Sequence, residues 1–153
     1  MTSRQPARSR LPHTITLWNA SGETVVNGGK KKQYQKTVIR YVRYESRRRT
    51  ATTQSGGANE DSLFLMIFNG PSIAEGKGGA LRDFASPDIF LTMEPEDRGK
   101  HWTLQTGDIV GLGVISGGFS HGGDYERKDY KINIIDPVYG ADGKIHHWEV
   151  TGA

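Results

Sequence analysis

The sequence contains no cysteine among its 153 residues. Disulfide bridges and thiolate zinc sites are therefore excluded, and the composition suits a protein assembled in a reducing cytoplasm. No apolar run approaches the ~20 residues that span a bilayer, so we expect no membrane partner. The first ten residues, MTSRQPARSR, have no apolar segment after their basic residues, so we expect no secretory signal peptide.

Familiar catalytic motifs are sparse as well. The phosphate-binding pattern GxxxxGK[ST] does not occur, and the one match to GxSxG, GFSHG at residues 118–122, lies in a glycine-rich segment that we interpret as a loop. Acidic pairs such as Glu94 and Glu96 lie in polar segments, without the apolar surroundings that tune a catalytic carboxyl group. We therefore predict that the protein is not an enzyme, with no catalytic residues and no cofactor.

Histidines offer the only hint of a metal site, and it is weak. Adjacent side chains of a strand point to opposite faces, so His146 and His147 are predicted to be poor joint ligands for one ion. His121, Asp124 and Glu126 lie in a glycine-rich segment that we interpret as a solvated loop. We predict no metal site.

Charge is unevenly distributed along the chain, although the net charge is only +3. Residues 1–49 hold twelve Lys or Arg and two acidic residues, a balance of +10, whereas residues 50–153 hold eight and fifteen, a balance of −7. This polarity favours one surface for a polyanion or an acidic neighbour and another for a basic neighbour. Alternatively, the two halves neutralise each other within one fold or between identical subunits.

Glycine is abundant at 20 residues, which favours strands, turns and loops over helices. Alternating apolar residues predict strands, and an apolar run predicts one strand covered on both faces. The predicted strands are His13–Asn19, Gln33–Arg49 with a bulge near residues 40–43, Leu63–Phe68, Asp88–Met93, residues within Trp102–Ile115, and two antiparallel strands within Lys128–Gly152. Ala80–Ala85 is predicted to form one helical turn, and residues 50–61 and 116–126 to form loops. Residues 19–32 are predicted to form a loop, with a short hairpin around Thr24–Val26 as an alternative.

The pattern predicts an all-β fold, a small antiparallel β-barrel or sandwich of about six or seven strands with long loops. We expect residues 1–12 to form a flexible basic N-terminal arm and residues 13–153 to form a single β-barrel domain.

Basic residues are the main candidates for a binding surface, because basic loops contact phosphates without reading sequence. Nearby Tyr34, Tyr41 and Tyr44 are candidates for stacking on bases, although half-buried strand tyrosines and a solvated Arg cluster are an equally simple interpretation. The candidate contacts with DNA, a lumen or a neighbouring subunit are Lys30, Lys31, Lys32, Arg47, Arg48, Arg49, Gln54 and Asn59. The candidate assembly residues of the arm are Arg4, Arg8 and Arg10.

Five segments together give the chain a familiar outline: ITLWN, TVI, WTLQTGDIVGLG, YKINIIDPVYG and HHWEVTG. With them the chain resembles a family of small structural proteins from the head–tail region of tailed phages, including the head-closure or stopper proteins of siphophage necks. The resemblance covers most of the chain and is loose between residues 50 and 100. GDIV and HHWEVTG are its most specific parts, and Trp102, Gly107, Asp108 and Trp148 form the predicted core signature.

The resemblance implies a virion protein, assembled in the host cytoplasm, that forms a homo-oligomeric ring, commonly a dodecamer. Its partners would be adaptor or portal proteins on the head side and tail-terminator proteins on the tail side, with non-specific contact to packaged DNA. Thr50–Asp61 is the candidate lumen loop and Ser116–Asp124 the second candidate. The alternatives are a tail-terminator or adaptor protein, an OB-like nucleic-acid-binding module, or a hydrolase with an unrecognised site.

Overall fold

β-Strands dominate the chain, which confirms the predicted all-β class: 56% of the residues lie in strands and 13% in helices. A computed structural model describes residues 4–47, 50–53, 56–59, 61–119 and 129–153. The strands are β1 (His13–Val26), β2 (Gly29–Arg47), β3 (Thr50–Thr53), β4 (Gly56–Asn59), β5 (Ser62–Phe68), β6 (Ile73–Glu75), β7 (Asp83–Phe84), β8 (His101–Trp102), β9 (Ile109–Leu112), β10 (Tyr130–Tyr139) and β11 (Ile145–Gly152). The helices are α1 (Pro87–Thr92) and α2 (Pro95–Arg98), with 3₁₀ turns at Arg8–Arg10 and Lys77–Gly79.

Six strands pair in a closed circuit. Their hydrogen-bonded order is β1–β9–β10–β11–β5–β2, and β1 also pairs with β2, so that the last strand returns to the first. All neighbours in this circuit are antiparallel, and β6 is added to β2 as a seventh strand. The six strands are thus hydrogen-bonded in a ring, although the sheet is not a strict barrel. Closure pairs backbone groups that would otherwise line open sheet edges.

The core fills the inside of this closed sheet. Side chains at alternate positions, such as Ile15 and Leu17 of β1, are fully buried. In β5, Leu65 and Ile67 face the core, whereas Phe64 and Met66 lie half-buried on the outer face. The outer face of β5 is therefore only partly covered at Phe64 and Met66, and the prediction that both faces are covered is wrong at these two residues.

Two tryptophans and a phenylalanine join three distant segments within the core. The ring centroids of Trp102 and Trp148 lie 5.3 Å apart, and Phe84 contacts both at 5.0 and 4.6 Å. Both tryptophans are buried. Aromatic packing of this kind ties β7 and β8 to β11.

The predicted bulge in the long second strand is confirmed at Tyr41. Arg40 pairs with Thr14 and Val42 pairs with His13, so Tyr41 is the extra residue. Its φ angle is 61°, in the left-handed region that non-glycine residues seldom occupy.

Several other predicted elements differ from the structure. Asp88–Met93 is not a strand, because Pro87 starts helix α1 and only Phe90 of that helix is buried. Ala80–Ala85 holds no helical turn; Asp83 and Phe84 instead pair in parallel with β8. Residues 19–32 mostly continue β1 and β2, and residues 50–61 include the small hairpin of β3 and β4.

Residues 4–12 lie against the domain. The Gln5 side chain donates hydrogen bonds of 3.0 Å to the carbonyl oxygens of Asn69 and His146, and Leu11 is buried. The flexibility of the arm and the single-domain division stay predictions.

Replacing Trp148 with Ala should lower the free energy of unfolding by about 3–5 kcal/mol, because the change removes a buried ring from the aromatic cluster and leaves a cavity. Urea denaturation followed by circular dichroism measures this loss. The matched control is Tyr139→Ala, because Tyr139 is 62% exposed and its removal should cost little. Equal losses in the two variants would contradict the placement of Trp148 in the core.

Candidate assembly surfaces

The hairpin of β1 and β2 extends beyond the closed sheet. β9 pairs with β1 only over Ile15–Trp18, and β6 joins β2 only from Val38 onward. In the described part of the chain, residues 22–33 therefore pair only with one another. The turn at Asn27 and Gly28 has two positive φ angles, as tight hairpin turns require. The result is a two-stranded extension with both edges free.

This extension carries the first predicted basic cluster. Lys30, Lys31 and Lys32 are all exposed and lie opposite Val25, Thr24 and Glu23, respectively. Alternation places Lys30 and Lys32 on one face and Lys31 on the other. Lysine on free strand edges also discourages uncontrolled strand pairing, which is a sufficient structural reason for its presence.

The second basic cluster lies at the far end of the same strand. Arg47 pairs with Ser62 at the end of β2, roughly 50 Å of strand length from Lys32. Arg48, Arg49 and Gln54 lie outside the described residues, and the side chain of Asn59 in β4 is likewise not described. The structure does not bring Arg47 together with the lysines, so the two ends of β2 do not form one basic surface.

The three tyrosines proposed to stack on bases are engaged in packing. Tyr34 contacts Phe119 edge-on at 5.1 Å, and the guanidinium of Arg8 lies 4.9 Å from the ring centre of Tyr41. Tyr44 is buried against Tyr130. These contacts favour the packing interpretation of all three.

The arm residues differ in their contacts. Arg8 donates a 3.0 Å hydrogen bond to the carbonyl oxygen of Pro71. The backbone oxygen of Arg4 lies 2.8 Å from Nε2 of His146. Arg4 and Arg10 are exposed.

The prediction that His146 and His147 face opposite ways is wrong. A register shift in β11 leaves His146 without a cross-strand partner, and the two Nδ1 atoms lie 2.7 Å apart. The bulge turns both rings to one side, which sequence spacing alone does not reveal. His147 also places Nε2 3.5 Å from Glu149. The two rings face each other through Nδ1, so one must donate and the other accept.

Asp108 is a buried carboxylate: it is 1% exposed and lies between β1 and β9. Its carboxyl oxygens accept hydrogen bonds from Asn19 Nδ2 at 2.8 Å, the Ala20 backbone amide at 3.0 Å and Gln105 Nε2 at 3.1 Å. The Asn19 side chain also donates a hydrogen bond to the carbonyl oxygen of Thr103 and accepts one from the Thr103 amide. These hydrogen bonds hold the turn after β8 against β1.

Gly107 completes this turn. Its φ angle of +92° lies in the region that favours glycine, and its amide donates a 2.8 Å hydrogen bond to the carbonyl oxygen of Ile132. The predicted signature residues Trp102, Gly107, Asp108 and Trp148 are therefore structural in this fold. Asn19 and Gln105 were missed, and their positions in LWN and LQTGD gave no signal by themselves.

An apolar groove lies between the β10–β11 hairpin and the segment that leads into α1. Trp148, Leu104 and Phe84 line it from the core side. Its volume is about 550 Å³, within the range of ligand and peptide sites. The residues that border its mouth are Pro87, Ile135, Pro137, Tyr139 and Ile145.

Comparison with family models places residues 11–153 in a family of unknown function, DUF6751. The chain belongs to this family. No curated protein matches the sequence, and no solved structure matches it. The part shared with DUF6751 includes the basic extension, the Asp108 network and the groove, whereas Arg4, Arg8 and Arg10 lie before it.

Neither a metal-binding cluster nor a membrane-spanning helix occurs among the described residues of this DUF6751 protein. They contain no cluster of three or more His, Cys, Asp or Glu side chains arranged to hold a metal ion. None of their helices has the length and apolar character to cross a bilayer.

Burial raises the pKa of Asp108 to about 6, and the hydrogen bonds from Ala20, Asn19 and Gln105 oppose this rise. Because the folded pKa exceeds the unfolded value of 3.8, the folded state binds the proton more tightly. The resulting stabilisation is fully present below about pH 4 and is lost as the pH rises through about 6.

The free energy of unfolding should therefore fall with rising pH more steeply in the wild type than in Asp108→Asn, by about 3 kcal/mol between pH ~4 and pH ~7. Urea denaturation across this range measures both curves. The Asn variant is expected to be less stable throughout, because its amide group faces hydrogen-bond donors. Parallel curves for the two proteins would contradict the raised pKa.

Proposed function

We propose that this protein is a structural subunit of the head–tail connector of a tailed phage. In this role it forms a homo-oligomeric ring that closes the head and helps to retain packaged DNA. The proposal rests on the resemblance of its strand motifs to neck proteins and on the shape and charge of the subunit.

The motifs behind the resemblance correspond to the closed sheet. ITLWN lies in β1, WTLQTGDIVGLG runs from β8 to β9, and YKINIIDPVYG and HHWEVTG form most of β10 and β11. They include the Asp108 turn and Trp148, which hold the core together. The resemblance therefore concerns the framework of the fold, and the role in a particle is inferred from what extends beyond that framework.

The observation that carries the proposal is the β1–β2 extension with its free edges and exposed lysines. A subunit that assembles head to tail needs two different surfaces. The basic extension supplies one, and residues 50–153, with their balance of −7, supply a complementary one. Exposed lysines on a narrow extension also suit non-specific contact with DNA phosphates.

The extension, the groove and the tyrosine contacts also bear on the alternative functions. A tail-terminator or adaptor subunit would use the same extension and groove, so these roles stay second candidates. An OB-like single-strand binder needs aromatic rings free to stack on bases, and Tyr34, Tyr41 and Tyr44 are engaged in packing. Salt-sensitive binding of short single strands by the monomer would nevertheless favour that module.

Co-expression with the products of neighbouring genes tests the proposal. We expect the gene to lie between the portal or capsid genes and the major tail gene. We expect the protein to co-purify with portal and adaptor proteins as a ring visible by negative-stain electron microscopy. A gene set among metabolic genes, together with a protein that binds none of its neighbours' products, would reject the connector function.

A further inference from the structure

The apolar groove is open to solvent in the isolated chain. Tyr139 at its mouth is 62% exposed, and Ile89 and Leu91 of the adjoining helix α1 are each more than half exposed. Apolar surface concentrated in this way marks an interaction site more often than a solvated face. One wall of the groove, formed by Phe84, Ser86 and Pro87, belongs to the segment of residues 83–97.

The acidic residues of this segment do not all lie at the groove. Residues 83–97 contain five acidic residues, but Glu94, Glu96 and Asp97 belong to the N-cap and first turn of α2, whose Pro95 and Arg98 line a different pocket with Ser21 and Gln33. Asp88 follows directly on Pro87 and is exposed, and hydrogen bonding by Ser86 lowers the pKa of its carboxyl group. The groove therefore combines an apolar floor with one negative charge, that of Asp88 beside Pro87. An occupant that fits it carries an apolar side chain beside a cation.

The β1–β2 extension has this composition. Residues 22–36 contain four lysines and one glutamate. Val25 near its tip is 75% exposed and lies directly opposite Lys30 in the pairing register. Because Val25 is exposed, the extension does not occupy the groove of its own chain. Its free end is narrow, since it consists of two strands and a tight turn, which suits entry into a groove of about 550 Å³.

We propose that the β1–β2 extension of one copy docks in the apolar groove of a second copy. Val25 enters the groove beside Tyr139, and Lys30 and Lys32, which share the face of Val25, lie near Asp88. The contact is head to tail, because the two surfaces differ, and repeated contacts of this kind generate a ring when the rotation closes. This inference rests on the proposed function for its choice of a ring, and its chemistry specifies how neighbouring subunits join.

Disulfide crosslinking of the full chain tests the contact, since the absence of native cysteine makes any introduced pair unique. Val25→Cys and Tyr139→Cys proteins are mixed in equal amounts and mildly oxidised. We expect a mixed dimer in a yield about tenfold above that of a control mixture of Val25→Cys with Val114→Cys. Val114 is a matched control because it is 62% exposed and lies outside the groove.

Charge reversal provides a second arm. Exchanging Lys30 and Lys32 for Glu in the Val25→Cys protein should reduce the mixed dimer to the control yield, while circular dichroism shows an intact fold. Equal yields with Tyr139→Cys and Val114→Cys, or a product dominated by Val25→Cys pairing with itself, would overturn the proposal.

The crosslinking result can be distinguished from the result of the test of the connector function. Specific crosslinking in a protein whose gene lies among metabolic genes would keep the docking and reject the connector. Failure to crosslink in a protein that co-purifies with portal and adaptor proteins would do the reverse.

Discussion

The pairing of β1 with β2 is the constraint on which the rest of the structure depends. It closes the six-stranded circuit, and the strands on either side of it enclose the core. The same pair continues past the closed sheet as a free extension. Stability and the proposed assembly therefore use different lengths of one hairpin. The first part buries Ile15, Leu17 and Ile39, and the last part exposes Val25 and the lysines.

A buried polar network marks the boundary between these two lengths. Asn19 and Ala20 end the buried part of β1, and both donate hydrogen bonds to Asp108. A carboxyl group in this position is costly to bury without such donors. With them it holds the turn that carries Trp102 and Leu104 against β1. The groove is built on that same turn, since Leu104 and Gln105 line it. Groove and extension are thus positioned by one set of contacts.

The sequence predicted the parts of the fold that depend on local alternation. β10 and β11 were visible because apolar residues recur at every second position, and β5 because its residues form a short apolar run. The bulge in β2 was visible because Arg40 and Arg43 interrupt the alternation. Helix α1 was predicted as a strand, because a short apolar run fits a strand and a helix equally well. Pro87, which favours the first turn of a helix, decides for the helix. The histidine pair was misjudged because one inserted residue cancels the alternation rule. The groove could not be foreseen, since its walls come from segments far apart in the chain.

The central claim is that the closed sheet is stable by itself, whereas the extension becomes protected only on assembly. Hydrogen–deuterium exchange tests this claim most directly when it is measured at two protein concentrations, one far below and one far above the association midpoint. The account predicts slow exchange at Ile15–Trp18 and in β5 at both concentrations. It predicts that protection of residues 22–33 and of the groove segments at residues 84–87 and 135–139 rises only in the concentrated sample. Protection that is the same at both concentrations in the extension and the groove would contradict it.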